Sequence, residues 1–214
     1  MKLTPEIARM IIQRFEESGH APEIGFEHFS CGFEDIIEPL EDEYLKEIIK
    51  KNGSTFKLIS GSYGTGKTHL TKHFREIAWT YNYATCYVDL EAKNFQFHKI
   101  LSVYQKICLR IQRPVSDKEK IKILDGSGFR LENGLASMIR YWYYEKQKAF
   151  EIMYKEEWKI YLKKYIDTIR GFDSIYFGRV IREMLKSLIY EDEDTFEDLQ
   201  LWFQGEGNER CKEF

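Results

Sequence analysis

The chain has 214 residues, of which 31% are charged and 15% aromatic, and its formal net charge is -3. This composition excludes an intrinsically disordered chain, and the lack of any apolar run of roughly 18 residues argues against a membrane span. The four cysteines contain no C-x-x-C pair, which argues against a zinc knuckle or a disulfide scaffold and favours the reducing cytoplasm.

The first 53 residues are predicted to form an N-terminal helical segment. Thr4 followed by Pro5 is typical of a helix start, and apolar residues then recur at helical spacing up to Gly19. A second amphipathic segment is predicted over residues 36–49, in which Pro39 marks a break or a helix start.

Residues 54–131 are predicted to form the core of the fold. Residues 55–60 are short and apolar, as expected of a strand that is buried on both faces of a parallel sheet. A helix is predicted over residues 68–81 and a second strand over residues 84–90, so that strand, helix and strand make a βαβ unit. The predicted fold class is therefore α/β, with a parallel sheet and flanking helices.

Residues 132–214 are predicted to form a large helical region. Apolar residues recur at intervals of three and four over residues 138–169 and again over residues 177–189, and no strand signal interrupts them. The acidic stretch that follows, residues 191–198, marks the end of the second run.

The most specific motif lies between the first predicted strand and the helix that follows it. Residues 61–68 read Gly-Ser-Tyr-Gly-Thr-Gly-Lys-Thr, which matches the phosphate-loop pattern G-x-x-x-x-G-K-S/T. Glycines let the backbone curl so that its N–H groups point inward at a helix N-terminus, where they bind phosphate oxygens. The structural alternative is a glycine-rich turn that only joins a strand to a helix. We expect a nucleoside triphosphate in this loop.

Each residue type in the motif has an expected role. Lys67 supplies a mobile cation for the β- and γ-phosphates, and the Thr68 hydroxyl is expected to bind Mg²⁺. The catalytic candidates are Lys67 and Asp89, since Asp89 would lie near the carboxyl end of the second predicted strand, although it could equally cap the next turn. The expected nucleotide-binding residues are Gly61, Ser62, Tyr63, Gly64, Thr65, Gly66, Lys67, Thr68 and His69.

Hydrolysis normally also requires a second acidic motif, an apolar strand that ends in aspartate and positions Mg²⁺ and water. We find none in this sequence. The nearest run, residues 187–192, continues a helical stripe and is therefore interpreted as a helix. We expect turnover to need residues that this chain lacks.

Two weaker patterns leave alternatives open. His69 and His73 lie four residues apart on one helical face, so they could hold a metal ion, or they could face solvent or pack on the sheet. Tyrosines and tryptophans alternate with lysines over residues 140–165. Such rings could stack on exposed bases of DNA or RNA, or they could pack helix against helix, and the basic face could meet an acidic partner.

The chain resembles the ATP-binding proteins of bacteriophage-exclusion (BREX) defence systems, an AAA+-like P-loop family distantly similar to replication-initiator ATPases. The stretches that carry the resemblance are FSCGFEDIIEPLEDEYLKEII, FKLISGSYGTGKTHL, CYVDLEA and LWFQGEG. The resemblance implies a P-loop NTPase fold, ATP and Mg²⁺ as ligands, and other defence-system proteins as partners. It also implies that Phe33 flanks the adenine base.

In that family the Walker B strand and the arginine elements follow a helical region like residues 134–189. Two strands would leave an incomplete parallel core with an open edge, so we expect either a homo-oligomer or a missing C-terminal part. The leading hypothesis is an Mg-ATP-binding ATPase module of a phage-defence assembly. The alternatives are a nucleotide-dependent switch that contacts DNA or a partner protein without turnover, and a small-molecule kinase.

Overall fold

The computed structural model describes residues 1–19, 21–88 and 98–207. The chain divides into two compact units. Unit 1 consists of Met1–Thr85 and Arg113–Leu131, and unit 2 consists of Cys86–Gln112 and Glu132–Phe214. The sequence-based division into residues 1–53, 54–131 and 132–214 stays a prediction.

Helices make up most of the described structure. In chain order they are α1 (Pro5–Ser18), α2 (Glu34–Pro39), α3 (Lys67–Thr80), α4 (Ile100–Arg110), α5 (Asp117–Leu124), α6 (Leu135–Tyr154), α7 (Trp158–Thr168), α8 (Ile175–Tyr190) and α9 (Glu193–Phe203). Short 3₁₀ turns cover Phe26–His28, Ile49–Lys51 and Lys155–Glu157, and a π-helical segment, Leu40–Ile48, follows α2. Within the described ranges, none of these helices has the length and apolar character that a membrane crossing requires.

The predicted α/β P-loop fold with a parallel sheet is wrong for the described residues. The strands found there, β1 (Thr85–Cys86) and β2 (Ile111–Gln112), have two residues each and pair antiparallel in one small sheet. Residues 55–60 form neither helix nor strand, and Phe56 and Leu58 are 85% and 78% exposed. A buried parallel strand needs a hydrogen-bonded neighbour on each side, and the described residues provide none for this segment.

Unit 1 has its core where α1 and α5 pack together. Thr4 caps α1 by accepting the N–H of Ile7 at 3.2 Å, and Pro5 is the first helical residue, so the predicted helix start is confirmed. Ser116 and Glu119 form a capping box at the start of α5, and the Arg113 guanidinium lowers the pKa of Glu119 to about 2. The buried core residues are Ile7, Ile11, Ile24, Trp79, Val115 and Leu124.

Unit 2 is organised around α8, whose apolar stripe packs against α6, α7 and α9. Residues 187–190 lie in α8, so the interpretation of that run as a helix is confirmed. The Arg140 guanidinium lies 3.9 Å from the ring centroid of Phe196 and pairs with Glu193, which fixes the start of α9 against α6. The buried core residues are Ile139, Tyr143, Leu162, Ile166, Val180, Met184, Leu185, Leu188, Ile189, Phe196, Leu199 and Phe203.

Candidate nucleotide-binding site

Residues 61–66 form a largely exposed turn that leads directly into α3, and residues 67 and 68 of the motif open that helix. Gly64 and Gly66 have φ angles of +83° and +85°, a left-handed conformation that glycine adopts without a Cβ clash. Lys67 is the first residue of α3, and no side chain in the described structure caps this helix terminus. The first N–H groups of a helix have no partner within the helix, and together with the helix dipole they favour an anion.

The Lys67 side chain folds back onto the turn. Its Nζ donates to the carbonyl oxygens of Gly61 at 2.8 Å and Ser62 at 2.7 Å. The Thr65 hydroxyl also donates to the Ser62 carbonyl, at 2.9 Å. The lysine ammonium therefore lies beside the backbone of the turn. A phosphate oxygen bound there would compete with the two carbonyl oxygens for the hydrogen bonds that the ammonium donates.

His69, in the first turn of α3, is held by an aromatic cluster from the N-terminal segment. The Phe33 ring stacks on the His69 ring with centroids 5.4 Å apart, while Phe26 and Phe29 meet His69 edge-on at 4.9 and 5.6 Å. The Ser30 Oγ lies 2.6 Å from His69 Nε2. Burial lowers the pKa of His69, which favours the neutral ring. The structure thus brings together Phe33 and His69, which the sequence assigned to the nucleotide site on separate grounds.

The residue that sequence reasoning missed is Glu76. Glu76 is only 3% exposed. Its carboxylate accepts hydrogen bonds from the backbone N–H groups of Gly25 at 2.7 Å and Phe26 at 3.0 Å. Burial raises the pKa of Glu76, and the charge of Lys120 opposes that rise. Glu76 therefore anchors the segment that carries Phe33 onto α3. The available signal was its position seven residues after His69, on the same helical face.

Phe33 also lies against the turn itself. A Cβ added at Gly66 would lie 3.0 Å from the Phe33 Cζ, whereas a Cβ added at Gly64 would have no neighbour within 4 Å. The two glycines share a left-handed φ but differ in this contact.

We therefore expect Gly66→Ala to destabilise the protein more than Gly64→Ala. Both substitutions place a Cβ in the left-handed region, at a cost of about 1 to 2 kcal/mol. Only Gly66→Ala also pushes against Phe33, so its urea unfolding midpoint should be the lower of the two. Equal midpoints would show that the Phe33 contact contributes nothing to the stability of the turn.

A family model described as BREX system ATP-binding protein BrxC/D matches residues 3–212. The chain belongs to this family. The resemblance drawn from the sequence motifs is thereby confirmed. No curated protein and no solved structure matches the chain. The matched range includes both the glycine-rich turn and the segment that carries Phe33.

Two further predictions for this BrxC/D family member concern a metal site at His69 and His73 and a catalytic carboxylate at Asp89. His69 and His73 share a face of α3, but no group of three or more metal-ligating side chains lies together in the described residues. Burial and the neighbouring His69 lower the pKa of His73. Asp89 lies outside the described residues, so its assignment as a catalytic carboxylate stays a prediction.

The donor set at the turn is compatible with a magnesium nucleotide. Lys67 provides an ammonium and α3 provides uncapped N–H groups, both suited to phosphate oxygens. The Thr68 side chain, exposed in the first turn of α3, provides the kind of oxygen ligand that Mg²⁺ prefers.

Proposed function

We propose that the chain binds Mg-ATP at residues 61–68 and serves as an ATP-binding component of a BREX phage-defence assembly. The observation that carries this proposal is a pair of left-handed glycines placed directly before an uncapped helix that begins at Lys67. A turn of this kind directs backbone N–H groups and one ammonium group towards the same anion. Membership of an ATP-binding family supports ATP as the nucleotide.

In this proposal each residue of the turn has one task. Lys67 exchanges its bonds to the Gly61 and Ser62 carbonyls for bonds to the β- and γ-phosphates, while Thr68 contributes its hydroxyl to Mg²⁺. When bound, Mg²⁺ supplies charge neutralisation at the phosphate oxygens. Phe33 lies on the adenine side, which its contact with His69 and Gly66 supports.

The second candidate function is a nucleotide-dependent switch without turnover. It is favoured by the sequence, in which we find no apolar strand that ends in aspartate to position Mg²⁺ and water. Hydrolysis requires a carboxylate near the metal and the attacking water, and Asp89 is the proposed source. Steady phosphate release from Mg-ATP would favour the ATPase, and firm binding with no release would favour the switch.

We also propose that the chain works in the cytoplasm with other defence-system proteins. The free thiols of Cys31 and Cys86 support a reducing compartment. Self-association, or contact with another protein, is supported by the apolar side chains of Phe56 and Leu58, which are 85% and 78% exposed.

Mg-ATP is expected to stabilise the folded protein. A ligand that binds the native state alone raises the free energy of unfolding by about 2.7 kcal/mol at a hundredfold excess over its Kd. Differential scanning fluorimetry with Mg-ATP, Mg-GTP, Mg-AMP and ATP with a chelator would measure this. Mg-ATP should give the largest rise in Tm. No rise with any nucleotide would count against the proposal.

A further inference from the structure

A continuous row of aromatic rings runs along the seam between α6 and α7. We use the name ring row for five of these residues, Trp142, Phe150, Tyr154, Tyr161 and Tyr165. On α6, Phe150 and Tyr154 lie four residues apart and are neighbours on the helix surface, and Trp142 lies about two turns before Phe150. They meet the two tyrosines of α7, which also lie four residues apart.

The rings contact one another in sequence. Trp142 and Tyr165 are nearly parallel, with centroids 6.2 Å apart and 10° between planes, and Phe150 contacts Tyr165 at 5.5 Å. Phe150 then contacts Tyr154 at 5.4 Å, and Tyr154 stacks on Tyr161 at 4.1 Å. Tyr161 and Tyr165 remain 38% and 39% exposed, so part of each tyrosine contacts solvent.

Two lysines lie directly on this row. The Lys146 ammonium is 5.7 Å from the Trp142 centroid and 5.5 Å from the Tyr165 centroid, and the Lys164 ammonium is 5.5 Å from the Tyr161 centroid. Neither forms an ion pair with any residue that the structure describes. Nearby lysines differ, because Lys148 pairs with Glu145 and Lys159 pairs with Glu191. Within the described residues, these two ammonium groups therefore differ from Lys148 and Lys159 in having no carboxylate partner within 4 Å.

An apolar groove of about 450 Å³ opens beside one end of the row. Trp142 and Tyr165 line it, together with Met138, Ile169 and Phe172. The groove therefore continues the apolar surface at the end of the row where Lys146 lies. Along α6, the distance from Trp142 to Tyr154 is about 18 Å at a rise of about 1.5 Å per residue, long enough for several nucleotides.

We propose that the ring row binds single-stranded nucleic acid, in which Lys146 and Lys164 move from the faces of Tyr165 and Tyr161 to phosphates and a base stacks on each face that a lysine leaves. Stacking platforms combined with unpaired cations are the chemistry by which proteins hold single strands without reading their sequence. A duplex keeps its bases stacked on each other and offers no free ring faces to this surface. An acidic protein segment would use the lysines but would gain nothing from the rings. The site lies in unit 2 and does not depend on nucleotide binding at residues 61–68.

The test uses fluorescence anisotropy of a labelled oligothymidine with the full chain at low salt, without nucleotide. The double variant Lys146→Gln/Lys164→Gln is compared with Lys148→Gln/Lys159→Gln, which removes the same charge from lysines that already have partners. We expect about a tenfold loss of affinity for the first pair and less than about a twofold loss for the second. The slope of log K against log salt should fall by about 1.4 in the first pair only, as expected for two lost single-strand phosphate contacts.

Tyr161→Leu tests the stacking component separately, because leucine keeps an apolar side chain but removes the ring. We expect it to weaken binding about fivefold or more. Circular dichroism of each variant checks that the helix content of the chain is retained. Lys67→Ala should bind the oligonucleotide like the unmodified chain, so failure at this site is separable from failure at the nucleotide loop.

Three results would overturn the proposal. The first is no binding of the oligothymidine at low salt, and the second is an equal loss of affinity in the two lysine pairs. The third is equal displacement of the oligothymidine by duplex DNA or by polyglutamate, which would identify a duplex or an acidic protein as the better ligand.

Discussion

Lys67→Ala is expected to weaken Mg-ATP binding by about tenfold or more while leaving the fold intact. A charge-assisted hydrogen bond contributes about 1.5 to 3 kcal/mol, and the alanine variant loses this contact to the phosphates. The folded protein loses little, because the hydrogen bonds of Lys67 to the described residues go to the carbonyls of Gly61 and Ser62 within an exposed turn. Isothermal titration calorimetry with Mg-ATP measures the change.

The matched control is Lys72→Ala. Lys72 lies on the same helix and forms an ion pair with Glu23 at 2.7 Å, so its removal makes the same change in net charge away from the turn. Exposed ion pairs contribute about 0 to 1 kcal/mol, and the control should bind Mg-ATP normally. If Lys67→Ala and the control bind ATP with equal affinity, the turn is not the phosphate site.

Glu76→Ala is expected to lower the free energy of unfolding by about 3 kcal/mol or more. The substitution leaves the buried N–H groups of Gly25 and Phe26 without their acceptor and removes the negative charge near the buried Lys120. Breaking a buried charged arrangement by removing one partner costs about 3 to 5 kcal/mol. Urea unfolding at neutral pH, followed by circular dichroism, gives the change in stability.

Glu76→Gln provides the comparison. The two carboxylate oxygens of Glu76 accept one backbone N–H each, and the glutamine amide keeps an acceptor for only one of them and carries no charge. Because it keeps that hydrogen bond and fills nearly the same volume, it should lose less stability than the alanine variant. Because Glu76 anchors the segment that carries Phe33, both variants should also bind Mg-ATP more weakly, in the same order. An unfolding midpoint of Glu76→Ala that matches the unmodified protein would show that this carboxylate does not anchor the segment.

The helices could largely be predicted because their signals are local. Thr4 and Pro5 set the start of α1 within one turn, and the stripe that includes Val180 and Met184 gives α8 its buried face. The strand predicted at residues 55–60 was wrong, and local signals could not show this. An apolar run permits a strand, but a strand forms only where other segments pair with its backbone, and the described residues do not supply them.

The sequence by itself determined the helical segments and the order of glycines, lysine and threonine in the turn, because these depend on residues within a few positions of each other. Only the tertiary structure decided that Glu76 holds Gly25 and Phe26, about fifty residues earlier in the chain. The same is true of the contact between Phe33 and Gly66. Such contacts depend on which distant segments pack together, and that is set by burial of the whole core rather than by any local pattern.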